Sequence, residues 1–530
     1  MRADTNTRAA RLSLCMIVRD EAELLPEFLR HAQGIWDELV VVDTGSVDDT
    51  VAILHQAGAT VIQEAWRDDF AHARNVGLEH AAGDWILVLD ADEFISAELH
   101  AEIRGILNNP QIGAATVQLR SHLPHGHVHE TALPRLFRNA PEIRFRFAIH
   151  EEVVSSLEPY LDRAGQQLVA LSGVVTHHGY ERERAQKRGK KERDLRILNR
   201  CLSEAPFDLY SHFKRLELAR FWHDRSLWRE AAQEARTALE GCGPAELQQM
   251  AYGGELISLI AQGMADSGAG LQLALHYRDQ LQPSAELHYY IGEQLEIGHQ
   301  LAEATVEFRA ALQICGARNQ QMVNVRPHMG LCRLALANGD PESALAHCQQ
   351  ALAHAPQDPE ALLALMINLY ARGGCEAAMR GASAHAAAHG SSPELWMAVG
   401  NSAMLNRDPT SAAVAYARAA EESGGKRPLL HLGKAKVLGG EWKNAHHLLF
   451  QLCSEIPEAG IGALVCDMCM DRDTDLQLDL QPAEADLMLR EWLTTALMAA
   501  DDHALTNIAK RAPSVQHIFP WLPEALGLAA

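Results

Sequence analysis

At 530 residues the chain is too long for one ordinary core, so at least two domains are expected; 47% hydrophobic and 22% charged residues are normal for folded globular protein. Its net charge of −22, from 47 Lys and Arg against 69 Asp and Glu, is opposite to that of a non-specific nucleic-acid binder. Ten cysteines scattered from Cys15 to Cys469 fit reduced thiols, and no run approaches 18 apolar residues, so a soluble cytoplasmic protein without a transmembrane segment is expected. The one CxxC, Cys466–Cys469, has no second pair nearby to complete a zinc site.

From Leu12 the chain alternates strand-like and helix-like stretches. LSLCMIV (12–18) is a buried-strand run, and ELLPEFLRHAQGI (23–35) has helical spacing of its apolar residues. ELVVVDTGS (38–46) reads as a second strand closing in a Gly-Ser turn. Ser46-Val47-Asp48-Asp49 then opens a helix through TVAILHQAG, with the two acids at its positive end. ATVIQEAW (59–66) predicts a third strand, FAHARNVGLEHAA (70–82) a helix, and WILVLD (85–90) a fourth strand. This alternation predicts an α/β domain with a mainly parallel sheet, whose ligands bind at the carboxyl ends of the strands. Asp43, Gly45 and Asp90 stand at such ends.

Within WILVLDADE (85–93), Asp90 and Asp92 lie one residue apart. On a strand end both would point to one side, where two carboxylates can hold a divalent cation. A strand that merely stops in an acidic turn is the alternative.

From about Pro206 the strands stop and Ala-rich helical pairs begin. Small residues recur at Ala344, Ala378 and Ala412, two steps of 34. Bulky and small positions keep step with them, as in Trp396, Gly400, Ala412, Tyr416 and Ala419, or Gly292, Ala304, Phe308 and Ala311. A 34-residue helix–turn–helix unit of this pattern is similar to tetratricopeptide repeats; about seven units are expected, with the one near Ala261–Tyr277 degraded. Residues 458–530 are helical but off-period and read as a cap.

The motifs CMIVRDE (15–21), VVDTGSVDDT (41–50), WRDDFAHARN (66–75), GDWILVLDADE (83–93), PRLFRN (134–139), IHEEV (149–153) and HHGY (177–180) occur in this order. Together they resemble the family 2 glycosyltransferases of GT-A fold. The likeness is strongest to the subgroup that carries tetratricopeptide repeats and glycosylates proteins or peptides, including the bacteriocin S-glycosyltransferases. The expected architecture is a GT-A domain with a linker helix (1–200), a repeat array (205–457) and a helical cap (458–530).

The resemblance implies roles residue by residue. Arg19 and Glu21 would line the nucleotide pocket, and Asp43 would accept from the base or ribose unless it only closes an Asx turn. Gly45 and Ser46 would let the backbone pass close to the nucleotide. Arg74 would pair with phosphate or base, or else form a surface salt bridge. Asp92 would contact Mn²⁺ or Mg²⁺, with Ala91 beside it and Asp90 nearer the ribose or bound through water. His177 best matches a further metal ligand, with His178 as the alternative; either could equally be an ordinary packed histidine among 27 in the chain. Glu151 would be the base that deprotonates the acceptor, and His150 would orient donor or base. A solvated edge-strand acid is the other reading of Glu151.

Other charged stretches are less specific. Arg135, Arg138, Arg144 and Arg146 would be phosphate contacts or the wet face of a strand. The run 181–196 reads as a solvated helix joining the domains, with a phosphate or acidic-lipid contact as the alternative. His122, His125, His127 and His129 read as an acceptor-facing loop. The expected activity is inverting, metal-dependent transfer of a sugar from a nucleotide donor, UDP-GlcNAc or UDP-Glc, to a protein or peptide held by the repeats. Flagellin or another surface protein is the kind of acceptor expected, and a homodimer is the expected assembly. A lipopolysaccharide or other lipid-linked glycan acceptor, and a repeat scaffold with an inactive domain, are the competing readings.

Overall fold

The structure, a computed structural model, describes residues 9–122, 128–177, 189–314, 325–473 and 482–512. The chain divides into two compact units, residues 1–243 with 259–266, and residues 244–258 with 267–530.

The first unit is built on an eight-stranded sheet. Strands β1 (Leu12–Val18), β2 (Glu38–Asp43), β3 (Thr60–Gln63) and β4 (Trp85–Val88) pair in parallel, in the order β3-β2-β1-β4. Beyond β4 lie an antiparallel β7 (Val128–Arg138), then β6 (Ile112–His122), β8 (Gln167–His177) and the short β5 (Glu93–Ile95). The sheet is thus mixed, with a parallel half that carries the expected alternation.

Strands β1, β2 and β4 are apolar almost throughout because both faces are covered. Leu14, Met16, Val41 and Leu87 face one side, against helix α1 (Leu25–His31) and helix α4 (Ala97–Ile106). Cys15, Val40, Ile86 and Val88 face the other, against α3 (Phe70–His80) and α5 (Val154–Ala164). A short α2 (Thr50–Gln56) precedes β3.

Several boundaries differ from the sequence reading. The helix expected over 23–35 spans Leu25–His31, where Pro26 fits the first turn. The third strand keeps only Thr60–Gln63 of 59–66, since it lies at the sheet edge with one partner. The fourth ends at Val88, so Asp90 and Asp92 sit in the turn between β4 and β5 and not on a strand.

After the sheet come α6 (Lys190–Glu204) and the helix pair α7 (Leu209–Phe221) and α8 (Arg225–Glu240). Asp208 and Asp224 cap the latter two, accepting from the amides of Ser211 and Leu227 at 3.0 Å each.

The second unit consists of helix pairs, among them Ala285–Ile297 with Leu301–Gln313 and Pro393–Leu405 with Pro409–Ser423. Its 34-residue rhythm has a steric cause. Ala344, Ala378 and Ala412 are fully buried. A Cβ on Gly400 would lie 2.4 Å from the Tyr416 ring, and one on Gly292 2.7 Å from the Phe308 ring. The large ring of the second helix fills the space that the glycine of the first leaves open. The last helices, Pro457–Cys469, Pro482–Leu497 and Asp502–Arg511, pack around a buried Trp492. Cys466 and Cys469 lie in that core, and burial pushes the Cys469 thiol up to about 12. Among the described residues no helix is long and apolar enough to cross a membrane.

Two predictions follow from this packing. Gly400→Val forces the buried Tyr416 ring aside and should lower stability in urea unfolding by about 1–3 kcal/mol. His328 and His347 have their Nδ1 atoms 3.1 Å apart, which one neutral ring donating to another satisfies. Burial first, then His347 and His354, pushes His328 down to about 4; burial also lowers His347. Because protonation is harder in the folded state, stability is complete above the ordinary histidine value of about 6.5 and falls as pH drops from there toward the folded value. The urea midpoint should therefore fall between about pH 7 and about pH 5, and His328→Asn should reduce that fall.

Candidate active site

The ends of β1 and β2 are tied together by their loops. Thr44 donates from Oγ1 to the Val18 carbonyl at 3.0 Å, and Ser46 Oγ accepts the Asp20 amide at 2.9 Å. Asp20 in turn accepts the Val47 amide at 2.7 Å. Asp43, almost fully buried, uses its carboxylate to accept the amides of Gly45 and Ser46 at 3.2–3.3 Å. This is the Asx turn. Gly45 follows at φ 106°, a conformation that favours glycine. The turn shapes the loop, and Thr44, rather than Asp43, Gly45 or Ser46, lines the adjacent cavity.

That cavity, about 960 Å³, opens at the carboxyl ends of β1 and β4. Its wall includes Arg19, Glu21, Arg74, Asp90, Ala91, Asp92, His150 and Glu151, residues separated by up to 132 positions in sequence.

Arg74 is the centre of this group and is 7% exposed. It is delivered by α3, whose start is fixed by Asp69 accepting the His72 amide at 2.8 Å and by the Phe70 amide donating to the Ala148 carbonyl at 2.8 Å. Its Nε donates to Glu151 Oε1 at 2.6 Å, and its Nη2 reaches both Asp90 oxygens at 3.1 and 3.2 Å. The Phe145 ring lies 5.6 Å from the guanidinium carbon. Burial opposes its charge, but Asp90, Glu151 and Glu93 outweigh that and raise its pKa, so Arg74 is a fixed cation. Its Nη1 is buried without a hydrogen-bond partner among the described residues. The alternative of a surface salt bridge is corrected by this burial: the pair is inside.

The acidic turn is braced from below. Glu93 accepts the Asp90 amide at 2.9 Å and pairs with Arg135 at 2.6 Å while itself 2% exposed. Glu93 was the third acid of the motif, and only its burial reveals it as the brace. Of the four arginines considered as phosphate contacts, Arg135 alone lines the cavity. Arg138 stacks 4.2 Å over buried Trp85 and donates to the Asn109 carbonyl. Arg144 donates to the Ile143 carbonyl at 2.8 Å.

Glu151 lies at the end of the loop 147–151. The Arg146 and Glu152 backbones close the loop with two hydrogen bonds, at 2.9 and 3.1 Å. An isolated bridge holds this segment, not the edge strand weighed in the sequence reading. Asn75 pins the approach, exchanging side-chain hydrogen bonds with the Phe145 backbone at 2.9 Å in each direction. Phe147 and His150 adopt φ 68° and 54°, left-handed values that cost about 1–3 kcal/mol each for such residues. Glu152 is occupied elsewhere: it accepts the Ser155 amide at the start of α5. His150 keeps contact with solvent, but crowding of its ring first, then the charges of Lys214, Lys190 and Arg193, lower its pKa, so the imidazole is neutral at pH 7.

The basic run expected as a solvated linker is in part a wall of the site: Lys190, Arg193 and Arg196 of α6 line the cavity. The basic character of the run, for which a phosphate contact was the alternative reading, was the sequence signal for this. His177 pairs through its backbone with Glu93 in the β8–β5 ladder, and its side chain lies outside what is described. His178, His125 and His127 also lie outside the described residues. Among the described residues no three His, Cys, Asp or Glu side chains form a metal-holding group.

Comparison with known proteins agrees with this architecture. Residues 13–140 match the model of glycosyl transferase family 2, and residues 335–401 that of the tetratricopeptide repeat. The chain therefore carries a family 2 glycosyltransferase domain followed by tetratricopeptide repeats. A TPR repeat-containing protein of Synechococcus elongatus is 46% identical over 203 residues, 38% of this chain and 50% of that protein. The SPbeta prophage-derived glycosyltransferase SunS of Bacillus subtilis is 26% identical over 195 residues, 36% of this chain and 45% of that one. An uncharacterized glycosyltransferase of Rickettsia felis is 38% identical over 96 residues, 18% of this chain and 34% of that one. The chain thus spans at most about half the length of these relatives. Among solved structures, a mannosyltransferase of Pyrobaculum calidifontis aligns at 17% identity and a TM-score of 0.27, over 57% of this chain and 87% of that one; this is too low to carry an argument.

Removing the buried cation should expose its importance. Arg74→Met leaves Asp90 and Glu151 without their partner beside buried Glu93, and the domain should lose about 3–5 kcal/mol in denaturant unfolding.

Proposed function

We propose that the chain transfers a sugar from a nucleotide-sugar donor, UDP-GlcNAc or UDP-Glc, to a protein or peptide side chain, with inversion at the anomeric carbon. The observation that carries this reading is the meeting of Glu151, Asp90, Asp92 and Arg74 in one cavity at the strand ends. The acceptor class rests on the motif resemblance and on the attached repeats.

In this reading Arg19 and Glu21 line the nucleotide side of the cavity. Glu151 is the base: Arg74 holds its Oε1, and Oε2 takes the proton of the acceptor hydroxyl or thiol. The acceptor atom then bonds to the anomeric carbon while the bond from that carbon to the diphosphate oxygen breaks on the opposite face. Arg74, fixed and buried, orients Glu151 and Asp90 together, so base and donor side keep their separation. Neutral His150 sits beside the base without adding charge.

Asp92 and Asp90 fit Mn²⁺ or Mg²⁺ by their chemistry, as hard carboxylate oxygens in one turn of the cavity wall. Arg74 engages Asp90, and the motif resemblance implies that Asp92 would be the main protein ligand. When bound, the ion would offset the charge of the leaving nucleoside diphosphate.

Nucleotide release from a panel of nucleotide sugars, with Mn²⁺ or Mg²⁺ and then with EDTA, tests the proposal. One donor should be turned over slowly, and EDTA should stop it. Asp92→Ala should cost about a hundredfold or more in turnover. Glu151→Gln should lower transfer to a peptide acceptor by about 10²–10⁴ while the donor still binds. A wild-type protein that neither binds nor cleaves any donor would overturn the reading.

A further inference from the structure

We propose that the two helices following the sheet domain, α6 and α7, are a working part of the catalytic centre, with Tyr210 as the positioning residue for Glu151. This rests on the reading of Glu151 as the base. The motifs end before α7, and the change of pattern at Pro206 marks it in sequence as the beginning of the repeats. In the structure it reaches back to the base loop.

Three contacts define the arrangement. The Phe147 ring stacks on the Tyr210 ring, with centroids 4.2 Å apart and planes at 28°. The Tyr210 hydroxyl donates to the His150 carbonyl at 3.2 Å. Between these two points, Ile149 is buried in a cluster with Ile197 and Leu198 of α6 and Leu218 of α7. Tyr210 thus touches both loop residues with left-handed backbone, Phe147 and His150, and Glu151 follows directly. Such conformations persist only where their surroundings over-determine them. The loop's own closure, the Arg146–Glu152 bridge, fixes its ends but not its path.

Helix α6 is itself held. Arg196 makes a two-pronged pair with Asp68 at 2.6 and 3.0 Å, and Arg200 donates to the carbonyls of Arg67 and Asp68 at 2.6 and 3.0 Å. Asp68 lies just before α3, which carries Arg74. The same helix therefore braces the segment leading to Arg74 and packs against the loop leading to Glu151. Without Tyr210 the loop can relax toward ordinary backbone angles, and Glu151 drifts from its place beside Arg74. Misplacement of a reacting group by about 1 Å can cost a hundredfold.

The test is steady-state kinetics of the full chain with donor and peptide acceptor, comparing Tyr210→Leu, Tyr210→Phe, Phe147→Leu and Glu151→Gln. Tyr210→Leu should lower kcat by about ten- to a hundredfold with donor KM unchanged, because Arg19, Asp90 and Asp92 stand on other elements. Tyr210→Phe keeps the ring stack and should lose less, a partial rescue that general destabilisation would not produce. Tyr210→Leu with kcat within about twofold of wild type would overturn the proposal, as would a loss that only follows the folded fraction seen by circular dichroism. If Tyr210→Leu does not fold, Tyr210→Phe and Phe147→Leu decide: wild-type kcat in both overturns it, and lowered kcat at unchanged donor KM supports it. An active Glu151→Gln would overturn the reading of the base and this inference with it. An inactive Glu151→Gln beside fully active Tyr210 variants would overturn this inference alone.

Discussion

The sheet domain's site depends on one buried cation. Arg74 comes from a helix on one face of the sheet and meets carboxylates from two other places, the turn after β4 and the loop before α5. Three acids crowded there, Asp90, Glu151 and Glu93, would repel one another and resist burial without a positive centre. Buried ion pairs add little net stability, because desolvation offsets the attraction. What Arg74 supplies is geometry: its planar fork holds two carboxylates at set distances. Arg135 and Glu93 repeat the arrangement one layer below, so the acidic turn cannot rotate away.

Part of the backbone strain lies beside that centre, and part in turns that follow helices, as at His223, His299 and Arg407. Asp20 and Asp68, like Phe147 and His150, take positive φ, and all four stand in loops at or next to the cavity. Three of them make hydrogen bonds there, Asp20 to the Val47 amide, Asp68 to Arg196 and His150 to the Tyr210 hydroxyl, and Phe147 stacks on the Tyr210 ring. Among the described residues the strands beneath carry no such outliers. The scaffold is built for burial, and the loops at its edge are built for position.

The repeats obey a simpler rule. Glycine faces a ring or a leucine, and alanine sits where two helices come closest, so the same small-against-large pairing recurs from layer to layer. Charges on the helices pair across neighbouring units, as Arg333 does with Glu296 and Glu360. Such an array is stabilised locally, unit against unit, which lets its sequence vary while its pattern stays.

The sequence by itself determined the first four strands with their intervening helices and the helical repeats that follow, but not β5 to β8, α4 or α5. Hydrophobic runs buried on both faces, helical spacing between them, and a 34-residue period are local properties, and local physics reads them. It also pointed to acids that meet in one cavity, since Asp90, Asp92 and Glu151 stand in motifs of the resemblance. Tertiary structure alone decided what those acids touch. The segment that carries Asp90 and Asp92 was left open between a strand end and an acidic turn, because periodicity does not register where a ladder stops. Asp43 closes an Asx turn in the structure, a role that sequence could not separate from a ligand contact because the two look identical there. The roles of Glu93 as a brace, of α6 as a cavity wall and of Tyr210 behind Glu151 depend on contacts between 42 and 60 residues apart or more, and no local pattern encodes such a distance. Which residues are available is written along the chain; which of them meet is settled by how the buried faces pack.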